Sequence, residues 1–128
     1  MENKYKKLFE LAVKASENAY APYSHFKVGA SLLCKDGTVY TGCNVENGSY
    51  PLGNCAERTA FFKAISEGKR EFEAIAIAGS SNDDTSEPCY PCGACRQVMA
   101  EFCDDNFKVI LSNKILTLKE LLPYTFKL

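Results

Sequence analysis

Two short segments carry the strongest signals in this sequence: Asn54-Cys55-Ala56-Glu57-Arg58 and Pro91-Cys92-Gly93-Ala94-Cys95-Arg96-Gln97. Each follows an irregular loop and opens a predicted helix. Cys92 and Cys95 are three positions apart, so a helix places their sulfurs on one face. The N-terminus of a helix concentrates positive potential, which favours a thiolate over a thiol. If the two helix starts meet, the thiolates of Cys55, Cys92 and Cys95 converge.

Three converging thiolates predict a zinc site. Zinc binds cysteine sulfur readily, and three protein ligands leave a fourth position open for water, which is the arrangement of a catalytic zinc. A zinc ion lowers the pKa of such a water to about 7. Glu57, two residues from Cys55, is the candidate proton carrier. Arg58 is expected to donate to a thiolate and to offset the negative charge of the site.

The sequence around these segments predicts alternating helices and strands. Predicted helices cover 4–18, the stretch between Asn54 as N-cap and Gly68 as C-cap, about 95–103, and 117–122; predicted strands cover 28–34, 38–43, 72–78 and 107–111. Asp36-Gly37 between the first two strands is typical of a hairpin. The strand–helix–strand order that follows predicts crossovers and parallel pairing. We therefore predict one α/β domain, residues 1–128, with a mixed sheet sandwiched by helices.

Composition narrows the class of protein. The chain has 128 residues, of which 46% are hydrophobic, and a net charge of −1, so it lacks the basic excess of a nucleic-acid binder. No stretch approaches the roughly 20 apolar residues of a membrane span. The start of the chain does not resemble a signal peptide. The number of cysteines, seven, is odd, and a reducing compartment disfavours structural disulfides. These features predict a cytoplasmic protein with a small neutral ligand, and no nucleic-acid or membrane partner.

The two cysteine segments resemble those of the zinc nucleoside deaminases, whose mechanism is known in general terms. Cys55-Ala56-Glu57 in place of His-x-Glu is similar to the short, usually homotetrameric cytidine deaminases. The resemblance extends over nearly the whole chain, through residues 21–24, 26–30, 42–47, 55–60, 91–97 and 120–123. It implies a three-layer α/β/α sandwich with a mixed central sheet of about five strands.

The resemblance also implies a chemistry. Cys55, Cys92 and Cys95 would bind one Zn²⁺ per subunit, and Glu57 would shuttle protons. Hydroxide on the zinc would attack C4 of cytidine or 2′-deoxycytidine, ammonia would leave, and uridine or 2′-deoxyuridine would form, as in pyrimidine salvage. The implied assembly is a homotetramer whose active sites are shared between subunits.

The resemblance further implies which residues touch the substrate: Phe26, Asn44, Val45, Glu46, Tyr50, Ala56 and Phe126. Asn44 and Glu46 would hold the ribose hydroxyls. Phe26 would pack on the pyrimidine ring, and backbone at Ala56 and Cys92 would contact the polar edge of the base. Tyr50 and Phe126 are expected to reach a neighbouring subunit's pocket.

Other interpretations of these residues remain open at the level of sequence. Asn54 and Glu57 have the spacing of a capping box, in which Glu57 only satisfies backbone donors. A fourth cysteine would close the metal site and make it structural. Cys89 and Cys92 have the spacing of a redox pair, and with Cys95 they resemble the opening of an iron–sulfur run.

The segment Pro88-Cys89-Tyr90-Pro91 departs from the single Ser-Pro expected there, so the conformation of this loop is open. A deaminase acting on another substrate, such as a nucleoside antibiotic or cytosine in a polynucleotide, is a rival function. A non-catalytic zinc or iron–sulfur module is another. The remaining cysteines, Cys34, Cys43 and Cys103, are predicted to be core residues, and the lone histidine, His25, to have a surface or packing role.

Overall fold

The computed structural model describes residues 2–128 and has a mixed sheet between two layers of helices. Its helices are α1 (Asn3–Ser16), α2 (Ala56–Ser66), α3 (Gly93–Phe102) and α4 (Leu118–Leu121). Its strands are β1 (Lys27–Cys34), β2 (Val39–Cys43), β3 (Phe72–Ser80), β4 (Lys108–Ile110) and β5 (Ile115–Thr117), and a single 3₁₀ turn covers Tyr50–Leu52. Across residues 2–128, no helix combines the length and the apolar character needed to cross a bilayer.

The five strands lie in the order β2-β1-β3-β4-β5. β1 is antiparallel to both β2 and β3, β4 is antiparallel to β5, and β3 and β4 are parallel. The parallel pair is joined through α3, as the strand–helix–strand order predicted. The predicted fold class, a three-layer α/β/α sandwich with a mixed sheet of about five strands, is confirmed.

One face of the sheet is covered by α1. The buried side chains of Tyr5, Leu8 and Ala12 pack against the small residues of β3 and against Ile110. A close approach is required here, because a Cβ atom on Gly29 would lie only 1.9 Å from the carbonyl oxygen of Ala12. The lysines of α1 face solvent, so the amphipathic pattern of the helix sets which side is buried.

The opposite face is covered by α2, α3 and α4 over the larger apolar core. Phe61 of α2 lies at its centre, with ring centroids 5.3 Å from Phe72, 6.2 Å from Phe102 and 6.0 Å from Phe107. The start of α2 is pressed onto β2 at Gly42, where an added Cβ would lie 2.6 Å from the carbonyl oxygen of Ala56. This contact holds in place the helix start that carries Cys55.

Several predicted boundaries were wrong in detail. Strand β5 was not predicted, because three residues are too short for a recognisable alternation and are defined by their pairing with β4. Helix α1 ends at Ser16 rather than 18, and α3 ends at Phe102, so Cys103 is its C-cap rather than a helical residue. At the end of α2, Glu67 is the C-cap and Gly68 follows it with φ of 94°.

The final helix is shorter than predicted and begins with a capping box. Thr117 is its N-cap rather than its first residue: its hydroxyl accepts from the amide of Glu120, whose carboxylate accepts from the amide of Thr117. This pair satisfies donors that a one-turn helix would otherwise leave free.

Candidate active site

The starts of α2 and α3 meet, as the sequence predicted, and bring three thiols together. Cys55 is the N-cap of α2, Cys92 is the N-cap of α3, and Cys95 lies in the first turn of α3. Their three Sγ atoms all lie within 4.8 Å of one another, and the Cys55–Cys92 separation is 3.8 Å. Cys92 Sγ also accepts the backbone amide of Cys95 at 3.5 Å, so a helix N-terminus faces the sulfurs.

The geometry of these thiols fits a zinc ion. A tetrahedral site with zinc–sulfur bonds of about 2.3 Å places its sulfurs about 3.8 Å apart, and this is the separation of Cys55 and Cys92. Among residues 2–128, the group contains three sulfurs and no fourth side-chain ligand. Cys89 stays outside it. A site of this kind has the open fourth position of a catalytic zinc rather than the closed set of a structural one.

Charge around the sulfurs favours thiolate at Cys55. The Cys95 thiol and the Arg58 guanidinium lower the pKa of Cys55 to about 5, and Arg58 Nη2 donates to Cys55 Sγ at 3.1 Å. The hydrogen bond of Cys95 to the Cys55 sulfur, together with burial, raises the pKa of Cys95. Three adjacent thiolates therefore repel one another unless a cation lies between them, which is what a divalent metal supplies.

Glu57 lies in the first turn of α2 and is buried, with 4% of its surface exposed. Burial raises the pKa of its carboxyl to about 7, and the negative charge of Cys55 adds to the effect. A carboxyl with that pKa both takes up and releases a proton near neutral pH.

The capping-box interpretation of Glu57 is wrong, and so is the prediction of Asn54 as N-cap. Cys55 is the N-cap of α2, and no side chain caps this helix. Asn54 Nδ2 instead donates to Thr59 Oγ1 at 3.2 Å. The buried carboxyl of Glu57 is therefore not explained by the need to satisfy the helix start.

A pocket of about 610 Å³ opens beside the sulfurs. Its wall includes Cys55, Cys92 and Glu57, which join it to the candidate metal site. Its charged lining groups are Glu46, Glu57 and Arg58, and the guanidinium of Arg58 is directed at Cys55. The rest of the wall comes from the loop after β2, the turn before β1 and the segment before Cys92.

Asn44 and Glu46 both line this pocket and both hold the turn before β1. Asn44 Oδ1 accepts the amide of Val28 at 2.8 Å, and its Nδ2 donates to the carbonyl of Phe26 at 2.8 Å. One Nδ2–H of Asn44 remains available. The carboxylate of Glu46 accepts the amides of Tyr23 and Ser24 at 3.0 and 3.1 Å. The hydroxyl of Ser24 also donates to Glu46, and this bond, with those of the two amides, keeps the pKa of Glu46 below its usual range.

The other residues that the resemblance implied lie in different places. Val45, Tyr50 and Ala56 line the pocket, and Tyr50 makes an edge-to-face contact with Tyr23 at 6.1 Å. Phe26 lies outside the pocket wall, where its ring packs over Gly79. Phe126 is 67% exposed in the C-terminal segment, and its carbonyl accepts Gln97 Nε2 at 3.1 Å. The expectation that Tyr50 and Phe126 reach a neighbouring subunit stays a prediction.

Eight residues of the pocket wall were not predicted as site residues from the sequence: Val28, Asn47, Gly53, Asn54, Tyr23, Ser24, Cys89 and Tyr90. Of these, Cys89 and Tyr90 lie in the segment 88–91, where the sequence departs from the expected Ser-Pro. Burial raises the pKa of Cys89 to about 11, which keeps it a neutral thiol. Lys114 Nζ donates to Tyr90 Oη at 3.1 Å. The resemblance over residues 21–24 included Tyr23 and Ser24 but gave them no role, since their place in the pocket depends on Glu46.

Comparison with known proteins agrees with this geometry. The family model described as the cytidine and deoxycytidylate deaminase zinc-binding region matches residues 2–111. The cytidine deaminase of Halalkalibacterium halodurans is 55% identical over 124 residues, which are 93% of this chain and 91% of that protein. The cytidine deaminase of Sporosarcina psychrophila is 53% identical over 125 residues, which are 94% of this chain and 89% of that protein.

A solved structure agrees as well. The crystal structure of cytidine deaminase from Burkholderia pseudomallei matches with a TM-score of 0.88 at 50% identity, covering 98% of this chain and 100% of that one. The chain belongs to the family of cytidine and deoxycytidylate deaminases with a zinc-binding region. The family resemblance expected from the sequence is thus confirmed.

Proposed function

We propose that this protein is a zinc-dependent hydrolase that deaminates cytidine and 2′-deoxycytidine to uridine and 2′-deoxyuridine, with release of ammonia. The observation that supports this most directly is the position of Glu57. Its buried carboxyl lines the same pocket wall as Cys55 and Cys92, two residues from one candidate zinc ligand. This position supports a role for Glu57 as the carrier of a proton between an attacking water and a substrate nitrogen.

The candidate metal ligands are Cys55, Cys92 and Cys95. Bound among them, one zinc ion per subunit would lower the pKa of a water molecule, so that it attacks near neutral pH. The carboxylate of Glu57 would accept a proton from that water and deliver it to a ring or amino nitrogen of the cytosine. Arg58, by donating to Cys55 Sγ, would limit the negative charge of the sulfur group.

The charges of the pocket support a nucleoside rather than a nucleotide as substrate. Glu46 and Glu57 would repel a phosphate, and Arg58 is occupied by Cys55. Asn44 and Glu46 would bind the sugar hydroxyls with the N–H and carboxylate capacity that the turn before β1 leaves free. Backbone at Ala56 and Cys92 would contact the polar edge of the base. Phe26 would pack on the pyrimidine ring, for which its side chain would have to turn from its position over Gly79 toward the pocket.

The remaining parts of the proposal concern assembly and context. We propose a homotetramer in which Tyr50 and Phe126 contribute to a neighbouring subunit's pocket. In a single chain these two residues are 76% and 67% exposed, so both are accessible to a neighbouring subunit. Pyrimidine salvage in the cytoplasm is the role that fits a free nucleoside substrate. Residues 1–128 would act as one catalytic domain.

The test is conversion of cytidine by the zinc-loaded protein, followed by ultraviolet absorbance. We expect turnover by the wild type. In Glu57→Gln we expect kcat to fall by about 100-fold or more, because the amide cannot carry the proton. The variant should keep its zinc, measured by mass spectrometry. Glu67→Gln, at the far end of α2, is the matched control. Absence of turnover in zinc-loaded wild type would overturn the proposal.

A further inference from the structure

The carboxylate of Glu46 has little acceptor capacity left. A carboxylate has about four lone-pair sites, two on each oxygen. Oε1 accepts two amides, those of Tyr23 and Ser24. Oε2 bonds to the hydroxyl of Ser24. One site on Oε2 therefore remains for a ligand, on the same oxygen that Ser24 holds.

The direction of the hydrogen bonds at Ser24 follows from its neighbours. The amide of Phe26 donates to Ser24 Oγ at 3.0 Å, so the oxygen acts as the acceptor there. The hydroxyl proton is then free to be donated to Glu46 Oε2, which has no proton of its own when ionised. The result is a chain from the amide of Phe26 through the Ser24 hydroxyl to the Glu46 carboxylate.

The backbone between the ends of this chain is bent sharply. His25 has a φ of 58°, in the left-handed region that few residues other than glycine adopt, and its amide donates to the carbonyl of Ala21 at 3.0 Å. The bend lets the amide of Phe26 reach back to the side chain two residues before it. A conformation of this kind persists only when the surrounding contacts hold it, and Glu46 and Ser24 make those contacts.

We propose that Ser24 is a positioning residue for substrate: its hydroxyl orients Glu46 Oε2 toward the sugar hydroxyls and ties that oxygen to the backbone of Phe26. This inference rests on the proposed function, which places a nucleoside sugar against Glu46. It predicts that Ser24 increases the affinity for ligands that carry the 2′- and 3′-hydroxyls and leaves the affinity for ligands that lack them unchanged. A purely structural role would weaken both kinds of ligand alike.

The experiment measures competitive inhibition of cytidine deamination by uridine and by 2′,3′-dideoxyuridine on the zinc-loaded enzyme. In Ser24→Ala we expect the inhibition constant of uridine to rise about fivefold, the effect of one hydrogen bond of ordinary strength, because Ser24 orients the oxygen that binds the ligand and does not bind the ligand itself. We expect the constant of dideoxyuridine to change less than about twofold, since it makes no bond to Glu46. Ser66→Ala, which removes a hydroxyl at the exposed end of α2, is the control.

A second pair of variants separates the hydroxyl from the shape of the side chain. Threonine and valine have the same branching, and only threonine can donate to Glu46. Ser24→Thr should bind uridine about fivefold more tightly than Ser24→Val. Equal uridine constants in these two variants, or a parallel loss of uridine and dideoxyuridine in Ser24→Ala, would overturn the inference while leaving the proposed function intact. A wild type that does not convert cytidine would remove the proposed function and this inference with it.

Discussion

The guanidinium of Arg58 donates to Cys55 Sγ at 3.1 Å, three residues along the same helix. A charged donor on a candidate metal ligand stabilises the thiolate form. The residue is half-buried, and its Nε atom is buried with no hydrogen-bond partner among residues 2–128, so the bond to sulfur is made by Nη2. Arg58 therefore offsets the negative charge of the sulfur group without itself offering a metal ligand.

Replacement of Arg58 by Gln should weaken zinc binding by about tenfold, since partners outside the ligand set typically contribute 10- to 100-fold in affinity, roughly. The measurement is competition with a chelator at fixed pH, followed by zinc release. Arg70→Gln is a matched control, because the guanidinium of Arg70 donates to the carbonyls of Ile65 and Lys69, at the other end of α2. Equal zinc affinity in the two variants would contradict this role of Arg58.

Replacement of Gly42 by Ala should destabilise the fold and lower activity together. The added Cβ would lie 2.6 Å from the carbonyl oxygen of Ala56 and 2.7 Å from the amide of Ala60, so the start of α2 must shift. Overpacking of this kind costs about 1–3 kcal/mol of unfolding free energy. Urea denaturation measures the change.

The control for Gly42 is Gly93→Ala, where no heavy atom lies within 4 Å of an added Cβ. The free energy of unfolding of this variant should lie within about 0.5 kcal/mol of the wild-type value. If Gly42→Ala proved as stable as Gly93→Ala, the close approach of α2 to β2 would not be needed to hold the helix start that carries Cys55.

The carboxylate of Glu73 should stabilise the protein at neutral pH and lose that effect in acid. Lys4 Nζ lies 2.6 Å from Glu73 Oε2, and Tyr5 Oη donates to the same oxygen at 2.9 Å. The bond to Lys4 holds the pKa of Glu73 below its usual value of 4.5. Because the folded pKa is lower than the unfolded one, the stabilisation is present above about pH 4.5 and is lost as pH falls through the folded pKa.

Accordingly, Glu73→Gln should be less stable than wild type by up to about 1 kcal/mol at pH 7, and the difference should shrink below pH 4.5. Denaturation at a series of pH values tests this. Glu10→Gln, an exposed position of α1, controls for the loss of one negative charge. A difference between Glu73→Gln and wild type that grows in acid would have the wrong sign for this explanation.

Replacement of Phe126 by Ala should lower kcat/KM if the pocket is shared between subunits. The ring is 67% exposed in one chain and does not line that chain's own pocket, while its carbonyl is anchored by Gln97. We expect a loss of about tenfold, the effect of removing one aromatic contact with a ligand. Zinc content and assembly, measured by light scattering, should not change.

The control for Phe126 is Tyr124→Ala, which removes another exposed aromatic ring of the C-terminal segment. Its kinetics should stay close to those of the wild type. Unchanged kinetics in Phe126→Ala, with the assembly intact, would remove the idea that this ring completes a neighbouring pocket.

Much of the candidate metal site was predictable because its signals are local. The spacing of Cys92 and Cys95 implies one helical face, and a carboxylate two residues from Cys55 implies a proton carrier nearby. The side chains of Tyr23 and Ser24 on the pocket wall carried no spacing signal of this kind. Ser24 gains its place through a carboxylate 22 positions away, and no pattern within one element encodes that contact.

The sequence by itself determined the class of fold, the three candidate sulfur ligands and the candidate proton carrier, because periodicity and residue spacing act over one or two helical turns. Only the tertiary structure decided that Cys89 stays out of the sulfur group, that Glu57 is buried rather than a helix cap, and that β5 pairs with β4. It also decided that Glu46 has one acceptor site left. These features depend on how α2 and α3 dock on the sheet, and docking is settled by contacts between residues far apart in the chain.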